Sequence, residues 1–137
     1  MLNLITDNWV GILLSTLAAI VVSGIWYSPI AFGKMWQKEA KIKDKELRGG
    51  SPAKYLVALV MIVLTAIVLQ RFIIITNPQS MFEAVKVAGW IWLGFIVTYV
   101  VAGGLFEKIS TKLMLIDLSG QVLILMAMSA TLYAVWS

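Results

Sequence analysis

The sequence predicts an all-α membrane protein: four transmembrane helices in an up-down bundle, with an amphipathic helix at the cytoplasmic interface after helix one. Three observations carry this. The 137-residue chain is 61% hydrophobic and only 13% charged, where soluble domains carry about 25% charged residues. Its apolar residues gather in four long continuous segments, not in the shorter alternating ones of a membrane barrel. Nine of the eleven Lys and Arg residues fall in the first and third connections, the asymmetry that sets the orientation of a membrane protein. By length, residues 1–137 form one domain.

The first segment runs from about Trp9 to Tyr27 or Ser28. About nineteen residues at roughly 1.5 Å each give roughly 28 Å, close to the hydrocarbon thickness of about 30 Å. Met1 to Asn8 contains Asp7 and no basic residue, so it is not expected to be a cleavable signal. Gly11, Ser15, Ala19 and Ser23 recur at every fourth position. Such a ridge of small residues lets a neighbouring backbone approach, within the chain or in a second copy.

Pro29 lacks an N–H and disfavours helix at Ser28, so the first span should end or kink there, with Gly33 a second weak point. An interfacial segment is expected over about 30–47. There Phe32, Met35, Trp36, Ala40 and Leu47 share one face, and Lys34, Lys38, Lys41 and Lys45 the opposite one. This is the layout of a helix lying in the interface, its lysines toward anionic headgroups. Glu39, Lys43 and Glu46 interrupt the apolar face, so the amphipathic part is expected to reach only about Ile42. Gly49-Gly50-Ser51-Pro52 then forms a flexible joint before a new helix start.

The second span covers about 55–75, the third about 85–106 and the fourth about 113–136. Leu56 to Leu69 is almost wholly aliphatic, so the second span is expected to face lipid, and Arg71 to snorkel toward the outer interface. Asn77-Pro78 marks a turn, and short connections there and at Glu107 to Lys112 make neighbouring helices antiparallel. The basic bias places the long loop in the cytoplasm and both termini outside. Trp26, Tyr27, Trp36 and Tyr55 mark the inner boundary, and Trp9, Tyr133 and Trp136 the outer one.

The chain resembles a family of small bacterial four-helix membrane proteins, domain of unknown function 1761. The likeness rests on Gly24, Trp26-Tyr27-Ser28-Pro29, Phe32-Gly33-Lys34 and Trp36, and on Trp92-Leu93-Gly94-Phe95 followed by Phe106-Glu107. The resemblance implies four spans in this order and no particular activity. The sequence departs from that pattern at Asp117-Leu118-Ser119-Gly120, where a more neutral, aromatic-containing stretch is expected.

Asp117 is the sharpest single residue, because an aspartate at the bilayer centre costs about 2.5–3.5 kcal/mol. Two readings are open. In one, the last span begins at Leu118, with Asp117 its N-cap at the wet boundary. Alternatively Asp117 and Gln121 share a face inside the bundle, forming a polar pocket with Ser28, Thr98 or Tyr99. Glu107 opposes the dipole at the end of the third span, unless Lys34, Lys54 or Lys112 compensates. With Trp26, Tyr27, Lys34, Trp36, Lys38 and Lys41 it makes a second candidate site at the cytoplasmic face.

The chain has no Cys and no His, which removes disulfides, thiolate catalysis and the commonest general base and metal ligand. No catalytic constellation is recognisable, and no cofactor or metal is expected. The net charge of +4 lies beside the spans, where the lipid bilayer and its anionic headgroups are nearer partners than nucleic acid. The expected function is that of a structural, accessory or self-associating membrane component. The alternative is an oligomeric channel or transporter for a small solute or cation, with Asp117 and Gln121 in the path.

Overall fold

The structure, a computed structural model, describes residues 8–43 and 52–136. Lys45, Leu47, Arg48 and the joint at 49–51 lie outside the described residues. Among the described residues there are five helices: α1 (Trp9–Trp26), α2 (Gly33–Ala40), α3 (Pro52–Thr76), α4 (Met81–Phe106) and α5 (Thr111–Trp136). No strand occurs among the described residues. α1, α3, α4 and α5 are each long and apolar enough to cross a membrane.

Local chemistry sets the ends. Asn8 accepts the Gly11 N–H (3.1 Å) and starts α1, satisfying one of the free amides of a helix N-terminus. α1 stops at Trp26, ahead of Pro29. α2 ends at Lys41, whose φ of 58° is left-handed, so the surface helix closes near Ile42. α4 begins at Met81, earlier than the sequence expectation of about 85. Ser80 accepts the Glu83 N–H (3.2 Å) while the Glu83 carboxylate accepts the Gln79 N–H (2.6 Å), a variant of the capping box. Ser110 caps α5 by accepting the Leu113 N–H (3.1 Å).

α5 is the axis of the molecule. It touches every other helix, and 44% of its spanning window is buried, against 28% for α1, 22% for α3 and 11% for α4. Several polar groups in the spans find partners on their own or neighbouring backbones, as an apolar solvent demands, although the buried Gln70 Oε1 has none. Ser15 and Thr16 both donate to the Ile12 carbonyl, and Ser129 of α5 donates to Ala84 of α4 at 2.5 Å. That bond joins the start of α4 to the far half of α5, so the two run antiparallel. Gln70 of α3 donates to the Asn8 carbonyl (3.3 Å), which does the same for α3 and α1. The small-residue ridge turns inward: Ser15 is 0% and Ala19 1% exposed. It offers a second copy no surface at those positions.

α3 is divided. Residues 52–61 are exposed throughout, whereas Ala66, Leu69, Gln70 and Ile73 are buried against the other helices. The first half of α3 thus stands apart from the end of α1 and the start of α5, and leaves a cleft between them.

Candidate functional site

The cleft begins with the turn after α1. Trp26 and Ser28 offer their carbonyls to the N–H groups of Phe32 and Gly33, each at 2.9 Å. A Cβ at Gly33 would collide with the Tyr27 carbonyl oxygen and lie 2.7 Å from that of Ser28. Only glycine permits this approach. The chain therefore folds back tightly enough for Trp26 to meet Phe32, with ring centroids 4.5 Å apart, and for Tyr27 to meet Trp36 edge-on at 5.5 Å.

Three side chains then fasten onto the first turns of α5. The Trp26 indole donates to the Ile116 carbonyl (3.0 Å), the Tyr27 hydroxyl to Asp117 Oδ1 (2.7 Å), and the Trp92 indole of α4 to the Leu118 carbonyl (2.8 Å). A helix carbonyl has a second lone pair with which to accept them. Trp92 opens a π-helical stretch, Trp92–Val97, the kind of local widening that re-aims side chains within a helix. Gly120 makes room: a Cβ there would come within 2.6 Å of Trp26 Cδ1.

This geometry corrects the N-cap reading of Asp117. α5 starts at Thr111, and Asp117 sits within it, half-buried. An earlier serine supplies the cap, so Asp117 is free to take its partner from α1. The pairing unites the two candidate sites of the sequence, since Tyr27 belongs to one and Asp117 to the other.

Together they line a cleft of about 680 Å³ under α2, with Lys34 and Trp36 of α2 and Tyr55 and Ala58 of α3. One to two helical turns deeper along α1, α3 and α5 lies a second pocket of about 250 Å³, again lined by Tyr27. Its other walls include Ala19, Met61, Ile124 and Met128, with Ser23, Thr65 and Gln121 as the polar groups. Asp117 thus lines the cleft and Gln121 the deeper pocket, with Tyr27 bordering both.

The remaining expected residues stand elsewhere. Ser28 turns its hydroxyl onto the Ile25 carbonyl. Thr98 bonds back to Gly94, and Tyr99 is 79% exposed on α4; neither lines the groove around Asp117. Lys38 and Lys41 are exposed on α2 and its cap. Glu107 is exposed, and among the described residues its expected cations do not pair with it: Lys112 instead approaches Glu39 (3.9 Å). Glu39 also accepts from Ser110 (2.9 Å), tying α2 to the α4–α5 loop. Sequence reasoning missed Glu39 as a tie and Gly120 as a seat for an indole. A glycine inside a span was the available signal, because close approach is its usual use in lipid. No group of three His, Asp, Glu or Cys side chains that would hold a metal occurs among the described residues.

Residues 10–133 match the family described as "Protein of unknown function (DUF1761)". No curated protein and no solved structure matches the chain. The chain belongs to the DUF1761 family.

Proposed function

We propose that this DUF1761 member is a non-catalytic accessory component of a bacterial cytoplasmic membrane that works by accommodating a membrane amphiphile in the cleft beneath α2. Its long loop faces the cytoplasm and both termini lie outside. The observation that carries the reading is the Tyr27–Asp117 bond of 2.7 Å at the edge of a 680 Å³ cleft. A polar pair at the level of the interface stands above a largely apolar pocket, and that order matches a headgroup followed by a chain. From Asp117 to Met128 is eleven residues, or roughly 16 Å along the axis, about half the hydrocarbon thickness of about 30 Å. One leaflet has that depth.

An acyl-transfer or hydrolytic role finds less support, since the carboxylate is bonded to a phenol and not to a nucleophile–base pair. The channel alternative loses Thr98 and Tyr99, which stand away from Asp117. The test is native mass spectrometry from mild detergent, comparing the wild type with Ala58→Trp, which fills the cleft from an exposed position on α3. Lipid-sized adducts are expected on the wild type and not on the variant. Equal adducts on both proteins, or none on either, would sink the reading.

A further inference from the structure

The cleft also carries information about the headgroup. Its charged lining is mixed: Asp117 contributes a carboxylate and Lys34 an ammonium. Its aromatic lining is dense, with Tyr27, Trp36 and Tyr55 all bordering the same space. Tyr27 and Trp36 meet at an interplanar angle of 76°, so two rings present walls nearly at right angles, and Asp117 is hydrogen-bonded to one of them. Carboxylate and ring faces both attract a cation, and the attraction strengthens where water is excluded. Tyr55 already behaves this way, with Lys54 Nζ 5.1 Å over its ring. One Asp117 oxygen accepts from Tyr27, and a carboxylate retains lone pairs for a further N–H donor.

From this, and resting on the amphiphile reading above, we infer that the cleft selects a zwitterionic phospholipid whose headgroup joins an ammonium to a phosphate. The ammonium sits between Asp117 and the Tyr27–Trp36 corner, and the phosphate meets Lys34. The acyl chain descends past Tyr27 into the pocket walled by Met61, Ile124 and Met128. A purely anionic headgroup satisfies Lys34 but brings negative charge against Asp117. The surface lysines outside the cleft, Lys38 and Lys41, remain available to anionic lipids and are a separate matter.

The test uses the full chain in nanodiscs made from equal parts phosphatidylethanolamine and phosphatidylglycerol, followed by mild delipidation and quantitation of retained lipid. Phosphatidylethanolamine should be enriched roughly fivefold or more over the bulk ratio, the size of one well-placed cation contact. Asp117→Asn should return the ratio to that of the bulk while lipid is still retained. Where that variant fails to accumulate, Trp36→Leu removes one aromatic wall without touching the carboxylate and should lower the enrichment at least about twofold. Retained lipid at the bulk ratio, enrichment of phosphatidylglycerol, or enrichment unchanged in the variants would overturn the headgroup assignment and leave the amphiphile reading intact. No retained lipid at all would overturn both. Soluble glycerophosphoethanolamine at millimolar concentration should displace nothing; displacement would move the assignment from a membrane lipid to a free headgroup.

Discussion

At the scale of single residues, the glycines separate packing from propensity. A Cβ at Gly120 meets Trp26 at 2.6–2.7 Å, whereas one at Gly94 meets nothing within 4 Å. Gly120→Ala is therefore expected to push the indole off the Ile116 carbonyl and destabilise the protein by about 1–3 kcal/mol. Gly94→Ala should be neutral or stabilising by up to about 1 kcal/mol, since alanine is the better helix former. Thermal unfolding in detergent measures both, and similar losses for the two would refute the assigned seat. The Tyr27–Asp117 bond is tested by a double-mutant cycle of Tyr27→Phe and Asp117→Asn. A coupling of about 1–3 kcal/mol is expected for a hydrogen bond to a charged acceptor. If the two losses simply add, the bond contributes nothing to the fold.

At the scale of elements, α2 is held by its first turn more than by its far end. Gly33 must remain glycine for the chain to close onto the Tyr27 and Ser28 carbonyls. The tie at the far end is an exposed hydrogen bond from Ser110 to Glu39 (2.9 Å) and an ion pair with Lys112 and Glu39 side chains 55% and 25% exposed, and exposed pairs are worth about 0–1 kcal/mol. Gly33→Ala should accordingly raise amide hydrogen exchange across Trp36 to Lys41, while Glu39→Gln leaves it nearly unchanged. The reverse order would place the anchor at the loop. Much of this was legible in the sequence: the four spans and the break before Pro29 follow from hydropathy and breakers. The early start of α4 was legible too, in Ser80 and Glu83, but hydropathy outweighed the capping signal. What the chain order hides is partnership at a distance. Tyr27 and Asp117 lie 90 positions apart, and nothing local says that a phenol at one boundary completes an aspartate in another helix. The N-cap reading failed for that reason: it sought a partner for the carboxylate nearby, and the partner came from α1.

At the scale of the whole molecule, the structure gathers the two basic connections at one end. Glu39 of α2 reaches both Ser110 of the α4–α5 loop and Lys112 in the first turn of α5. The proposed orientation rests on Lys34, Lys38, Lys41, Lys54, Lys108 and Lys112 counted together, against Arg71 and Lys86 elsewhere. Cytoplasmic loops carry such an excess, because short basic segments resist translocation. The absence of cysteine makes the expected orientation directly measurable, since every introduced thiol is the sole one. Lys41→Cys should resist a membrane-impermeant maleimide in intact cells and react once the membrane is opened. Asn77→Cys, in the exposed turn between α3 and α4, should react in intact cells. The opposite pattern would place the cleft on the outer face and remove the cytoplasmic leaflet as its source of lipid. Labelling of both positions in intact cells would mean a mixed population, which the positive collar should prevent. Reducing the collar supplies the converse test: replacing Lys34, Lys38 and Lys41 with Gln weakens the bias by three charges, and labelling of the Asn77→Cys site in intact cells should then become partial, leaving a protected fraction. An unchanged pattern after that replacement would show that these three lysines do not fix the way the protein sits.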